Sequence, residues 1–137
     1  MNVVVRAKPD VIIDVGSTSA TYITLAEKVE QQTGIPYLLF DGKLTDTPRL
    51  LREVGGAIGA AGAAETLARD AEAQLREISD RLRNVPADAQ PRVYFARGPT
   101  GLTTAPRGSM QAEALSLAGG LNVIDSPPAF GGYLINI

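Results

Sequence analysis

The sequence predicts an α/β fold, and three observations carry that prediction. Short apolar runs bounded by breakers alternate with stretches of helical period. The first run, helix and run have the order of a βαβ unit. One uninterrupted helical period, from Ala63 to Asn84, fills the middle of the chain.

Composition narrows the functional classes. The chain has 137 residues, about one domain's worth, with 13 basic and 15 acidic residues and a net charge of −2. A chain that is 45% hydrophobic and nearly neutral can build a folded core. The same charge balance argues against nucleic acid, whose phosphates call for a basic surface. Glycine and proline are abundant but not periodic, which excludes collagen-like structure. No apolar run is long enough to span a bilayer. There is no His and no Cys, so the commonest metal ligand, the commonest general base, disulfides and thiolate chemistry are all absent. Met1 runs straight into Val3-Val4-Val5 with no charged leader and no cleavage site, so no signal peptide is visible in these residues.

The elements follow in order. Val11-Ile12-Ile13 comes after Lys8-Pro9-Asp10 and reads as a strand buried on both faces, ending in the polar loop Gly16-Ser17-Thr18-Ser19. A helix is expected from Ala20 to Thr33, with Tyr22, Leu25, Ala26 and Val29 as its stripe and Gly34 at the C′ position. Tyr37-Leu38-Leu39-Phe40 is a second strand, parallel to the first and closed by Asp41-Gly42. Asp46-Thr47-Pro48 opens a helix with Pro where its missing N–H costs nothing; Leu50, Leu51, Val54 and Ile58 are spaced for one face. The glycines from Gly55 to Gly62 end that helix in a sharp corner, as small residues that let two helices approach. A phosphate loop is not indicated, because no GKS or GKT follows and no strand precedes.

The long helix carries Ala64, Leu67, Ala68, Ala71, Leu75, Ile78, Leu82 and Val85 on one side. Its charged side offers i,i+4 pairs such as Glu65–Arg69 and Glu72–Arg76. At ~1.5 Å per residue it is on the order of 30 Å long, enough to run along two lobes. Pro86 to Pro91 is a linker, and Val93–Ala96 is a third strand. The long loop from Arg97 to Gly108 is rich in breakers, and loops beyond ~12 residues are usually functional or mobile. A helix is expected from Ser109 to Ala118, stopped by Gly119-Gly120, before an extended segment at Asn122-Val123-Ile124. Residues 125–137 show no period, and the pattern stops in mid-element, as in an internal fragment of a longer protein.

Without His or Cys, catalysis would fall to groups such as Asp10, Asp14 and Asp41 at strand ends. A doubly wound enzyme or a receiver-type signalling domain using these carboxylates is the alternative reading. The turn roles of Asp10 and Asp41, and loop-amide bonding by Asp14, weigh against it. The polar loops carry more. Gly16, Ser17, Thr18 and Ser19 lead into a helix N-terminus, which favours an anion, although an ordinary Ser/Thr cap has the same sequence. The later loop offers Arg97 and Arg107, whose planar donor forks suit carboxylates and oxyanions. Two strand-end loops on either side of a long helix suggest a cleft.

The ordered set of these pieces resembles one family. Lys8-Pro9-Asp10-Val11-Ile12-Ile13, Gly34-Ile35-Pro36, Leu51–Gly59, the helix from Ala64 to Leu82, Pro91-Arg92-Val93-Tyr94 and Gly119-Gly120-Leu121-Asn122-Val123 occur in the order found in helical-backbone (class III) substrate-binding proteins of ABC importers. These are receptors for iron–siderophore complexes, haem and cobalamin. The resemblance implies parts of two three-layer α/β/α lobes joined by one long backbone helix: an N-terminal lobe part at 1–59, the spanning helix at 60–85 and a C-terminal lobe part at 86–137. It implies a non-enzymatic receptor without a cofactor or resident metal, located in the periplasm or anchored by lipid outside the cytoplasm. Its partner would be the ABC permease of the inner membrane. The family's docking glutamate on the first lobe would fall near Asn2, where none stands.

Carried onto this sequence, the ligand-binding positions are Gly16, Ser17, Thr18, Ser19, Arg97, Gly98, Pro99, Leu102, Thr103 and Arg107. Neither loop has an aromatic residue, and the chain has no Trp, so a corrin would lack flat apolar partners. Arginine and hydroxyl groups suit an anionic, oxygen-rich ligand such as a ferric siderophore, or an oxyanion. Arg97, directly after its strand, is expected to contribute more than Arg107, which Pro106 and Gly108 set beside the next helix start. Strand edges left open in both lobe parts predict self-association.

Overall fold

The computed structural model describes residues 2–124 and 135–136. The chain is α/β and forms two compact units, Met1–Gly42 and Lys43–Ile137.

The first unit starts with a short helix, α1 (Asn2–Ala7), which leaves Val3 80% exposed. Strand β1 (Ile12–Gly16), helix α2 (Ala20–Thr33) and strand β2 (Tyr37–Asp41) form the βαβ unit, with the strands parallel and Ile12 opposite Tyr37. Helix α2 keeps the bounds its sequence calls for. Gly34 ends it at φ 70, donating its N–H to Glu30 O at 2.8 Å. Burial within α2 is concentrated on Ala26, whereas Leu25 of the expected stripe is 52% exposed. Strand β1 also departs from expectation. It is not buried on both faces but alternates, with Ile13 and Val15 outward and Ile12 and Asp14 half-buried. A two-stranded sheet with α2 packed at β2 covers one side only.

In the second unit a 3₁₀ turn at Leu44–Asp46 leads into α3 (Thr47–Ala57), with Pro48 in its first turn, and then α4 (Ala61–Leu82), one unbroken helix. The corner between α3 and α4 is tight because its glycines allow it. A Cβ on Gly55 would lie 2.1 Å from the Ala64 Cβ, so only glycine fits there. Ile58, expected on the apolar face of α3, instead sits in the corner and is 56% exposed. Arg52 of α3 ties the two helices together, reaching Glu65 at 2.7 Å and Glu72 at 2.7 Å. Glu65 also holds Arg69 at 2.8 Å, the pair its spacing predicts. Glu72 turns to Arg52 rather than to Arg76, since a cross-helix guanidinium already lies within reach.

After α4 the chain passes through a 3₁₀ turn at Ala87–Ala89 to β3 (Arg92–Val93), which is parallel to β5 (Leu121–Asn122). Helix α5 (Met110–Leu117) lies between them in sequence and makes a second β–α–β passage. Of the strand expected over Val93–Ala96, only Val93 lies in the ladder, which pairs Arg92 and Val93 with Leu121 and Asn122. Its continuation turns into a hairpin with β4 (Thr103–Thr104), and β4 pairs antiparallel with β6 (Ile135–Asn136). Gly119 and Gly120 close α5 down, since a Cβ on either would lie 2.8 Å from Leu82 or 2.6 Å from Leu115. Core positions are filled by small side chains: Ala64, Ala68, Ala105 and Ala112, with Thr104 and Ser109 fully enclosed. Of the aperiodic tail expected at 125–137, Ile135–Asn136 form β6, and residues 125–134 and 137 lie outside the described residues.

Candidate functional site

Gly16–Ser19 belong to the first unit and Arg97–Arg107 to the second. In the first loop, Gly42 donates its N–H to Gly16 O at 2.8 Å, which carries the parallel pairing to the strand ends. Ser17 Oγ accepts the Ser19 N–H at 3.2 Å. Ser19 stands at the N-cap position in an extended conformation, but its side chain makes no capping bond. The ordinary cap is thus not formed. The Tyr22 and Ile23 N–H groups of α2 donate to Ser19 O at 3.0 and 3.1 Å, and Thr18 and Ser19 are exposed.

Asp14, the strand-end carboxylate of the catalytic alternative, accepts a hydrogen bond from the Tyr37 hydroxyl at 2.9 Å. Burial, and then the Asp14 carboxylate, push the Tyr37 phenol above its ordinary range. The carboxylate binds a phenol across the two strands rather than loop amides. No cluster of three or more metal-ligating side chains occurs among the described residues.

The second loop is a built hairpin rather than an open loop. Arg97 donates its N–H to Thr103 O at 2.7 Å, and Thr103 donates to Arg97 O at 3.3 Å. Gly98-Pro99-Thr100-Gly101 forms the turn, closed by the Gly101 N–H to Gly98 O at 3.2 Å, with Pro in the second position that its fixed φ suits. Tyr94 Oη donates to Gly101 O at 2.8 Å and pins the turn from outside. Arg97, Gly98, Pro99 and Leu102 are exposed on this hairpin, and Thr103 is half-buried.

Beyond it the chain dives through Thr104, Ala105 and Pro106, all buried, and returns to the surface at Arg107. Ser109 caps α5, its Oγ accepting the Ala112 N–H at 3.2 Å and donating to Pro106 O at 2.8 Å. Arg107 lines a pocket of about 480 Å³ with Lys43, Glu113, Ser116, Asn122 and Ile124. Glu113 accepts bonds from the Leu44 N–H at 2.9 Å, the Thr45 N–H at 3.1 Å and the Thr45 hydroxyl at 2.7 Å. Burial pushes the Glu113 carboxyl up, but these bonds and the Lys43 charge outweigh it and hold the group below its usual range. Asn122 donates to Ala105 O at 3.1 Å and accepts the Ile124 N–H at 3.2 Å. Sequence reasoning missed Lys43. It lies far along the chain from Arg107, and no spacing rule relates the two.

A second, larger pocket of about 570 Å³ is apolar, lined by Leu75, Ile78 and Leu82 of α4 with Leu44 and Leu117. Among the described residues, no helix is long and apolar enough to cross a membrane.

No family model matches the chain, and no curated protein matches its sequence. Solved structures do match. An ABC transporter solute binding protein from Sulfurospirillum deleyianum DSM 6946 is 28% identical, covers 91% of this chain and superposes with a TM-score of 0.74. IsdE of S. aureus complexed with haem is 18% identical over 98% of the chain, TM-score 0.73. The periplasmic vitamin B12 binding protein BtuF of Vibrio cholerae is 18% identical over 99% of the chain, TM-score 0.72. The chain spans 39%, 50% and 50% of the lengths of these three proteins. In fold the chain is thus similar to part of an ABC transporter solute binding protein, and it shares that fold with parts of the haem-bound and vitamin B12 binding structures.

Proposed function

We propose that this chain is part of the substrate-binding component of an ABC importer, which captures a ferric siderophore or related iron complex in a cleft between two lobes and delivers it to the inner-membrane permease. The reading includes an N-lobe part at 1–59, a spanning helix at 60–85 and a C-lobe part at 86–137, and a location in the periplasm or on a lipid anchor outside the cytoplasm. The observation that carries it is the match over 91% of the chain, at 28% identity, to an ABC transporter solute binding protein. Supporting the ligand class, the two loops present arginine, hydroxyl and amide donors and no aromatic ring. The binding positions are Gly16, Ser17, Thr18, Ser19, Arg97, Gly98, Pro99, Leu102, Thr103 and Arg107.

Titration with ferric siderophores, haem, cobalamin and molybdate, read by tyrosine fluorescence, tests this reading. Saturable binding of a ferric siderophore at micromolar concentration supports it. Preference for cobalamin would move the ligand class, and no binding of any probe would remove the receptor reading. The apolar pocket along α4 and the outward Ile13 and Val15 also favour association with a second copy. Sedimentation at micromolar concentration should show a dimer or larger; a clean monomer would refute it.

A further inference from the structure

Resting on the receptor reading, we propose that Tyr94 is a positioning residue for the Arg97–Thr103 hairpin: its hydroxyl, bonded to the Gly101 carbonyl, keeps the tip in the one conformation that presents the binding groups.

The tip is built from residues that move easily. Gly98 and Gly101 stand at its two ends with φ of 75° and 70°, and glycine takes either sign of φ about equally well. The bond that closes the turn, from the Gly101 N–H to Gly98 O, is long at 3.2 Å. So is one of the two bridge bonds, from the Thr103 N–H to Arg97 O at 3.3 Å. Arg97, Gly98, Pro99, Thr100 and Leu102 are exposed, so water competes for these bonds. Exposed, backbone-bonded segments of this kind open locally at low free energy. The Tyr94 hydroxyl meets Gly101 O at 2.8 Å, shorter than either, and both residues are half-buried.

Tyr94 itself stands on a fixed base. Val93, just before it, lies in the β3–β5 ladder opposite Asn122, and Val93 O accepts the Val123 N–H at 3.0 Å. The other arm of the hairpin is anchored as well. It runs into Thr104, Ala105 and Pro106, all buried, and Asn122 donates to Ala105 O at 3.1 Å. With both arms held at the base, the phenol carries that anchorage out to the tip. Arg97, Gly98, Pro99, Leu102 and Thr103 all belong to this hairpin, so one bond sets the placement of five candidate binding positions.

This role has its own kinetic signature. When only a fraction of molecules is in the competent conformation, apparent affinity falls by that fraction. The loss then appears in association, because a complex once formed keeps its contacts. A lost ligand contact instead speeds dissociation.

The test uses the whole chain, with ferric citrate, haem and cyanocobalamin as probes. Tyr94→Phe is compared with Tyr37→Phe, which loses a phenol bond of 2.9 Å to Asp14 in the other unit. Circular dichroism checks both folds. For a probe that the parent chain binds, Tyr94→Phe should weaken affinity by about five- to fiftyfold, the range expected for one lost hydrogen bond to a half-buried carbonyl. Stopped-flow mixing should place that loss in the association rate, with dissociation changed by less than about twofold. Tyr37→Phe should leave affinity as it was. Without probe, amide exchange at Gly101 and Thr103 should quicken in Tyr94→Phe while amides of α4 keep their rates. In the parent chain, bound probe should slow exchange at the same two amides. Unchanged affinity in Tyr94→Phe would overturn the assignment while leaving the receptor reading intact. So would a loss carried by faster dissociation with hairpin exchange unaltered, which would make Tyr94 a ligand contact. Equal losses in both variants would make the effect general and overturn it too, as would probe binding to the parent chain that leaves Gly101 and Thr103 exchange untouched. Failure of the parent chain to bind any probe would overturn both.

Discussion

The α3–α4 corner and the Arg97–Arg107 loop are both rich in glycine, and they use it in opposite ways. In the corner, glycine matters for what it lacks. Gly55 has ordinary helical backbone, and a methyl group there would sit 2.1 Å from the Ala64 side chain. In the loop, glycine matters for the backbone it permits. Gly98 and Gly101 take φ of 75° and 70°, where a side chain is strained. The corner trades side chains for contact between helices. The tip of the loop is held by backbone bonds and a turn, with Arg97 on the surface, while Thr104, Ala105 and Pro106 behind it are buried.

The contrast breaks most visibly at Gly55. Gly55→Ala raises helix propensity, worth up to about 1 kcal/mol in an unhindered position. Against that, forcing an extra carbon into a packed contact costs about 1–3 kcal/mol, and this contact is closer than any real pair of carbons tolerates. A net loss of stability is expected, read as a lower urea midpoint with the slope unchanged. Unchanged stability would show that α3 and α4 are free to separate.

Glu113 gives the next largest effect. Glu113→Ala strips three donors at residues 44 and 45 of their acceptor. Loss of such bonds costs about 1–3 kcal/mol where water cannot replace them, and Leu44 is the half-buried member. The same carboxyl, together with Glu65, sets an acid limit. Arg52 and Arg69 hold Glu65 down at about 2 from its ordinary 4.5. A carboxyl depressed in the folded state stabilises fully above its unfolded value, and that contribution fades as pH falls through the folded one. Stability of the second unit should therefore decline between about pH 4.5 and 2. Arg52→Ala, which removes the clamp from Glu65 and Glu72, should make that decline shallower. An equally steep decline in the variant would assign acid unfolding to other groups.

Legibility of the sequence followed the range of the forces involved. Helices α2, α4 and α5 could be read from local signals, the Gly34 stop of α2, the period of α4 and the Ser109 cap of α5, and so could the parallel β1–β2 pair. Helix α1 could not: its three consecutive valines are stiff at χ1 and favour strands over helices. The length of β3 is fixed by its partner β5, far along the chain, and an apolar run cannot report where that partner stops. At the candidate site the signature of the hairpin turn was present in Gly98-Pro99-Thr100-Gly101, but the same residues also describe an irregular loop. What distinguishes the two is the bond pair between Arg97 and Thr103. The Lys43–Arg107 pocket depends on Glu113 bonding residues 44 and 45, a contact without a sequence signal.

The smallest effect is expected at Gly56, and it sharpens the comparison because only one position separates it from Gly55. Gly56 is in the same helix, is exposed, and a Cβ there would meet nothing within 4 Å. Its φ is not in the left-handed region, so alanine adopts the same backbone without strain. Gly56 O accepts the N–H bonds of Ile58 and Gly59, and a methyl group on Cα leaves that carbonyl in place. Gly56→Ala therefore removes only the freedom of the unfolded chain and should stabilise by about 0.5–1 kcal/mol, less if the last turn of the helix frays. Thermal unfolding of Gly55→Ala and Gly56→Ala side by side should move the two midpoints in opposite directions. If both fell, the corner would need glycine for its backbone, as the loop does, and the distinction drawn between the two regions would fail.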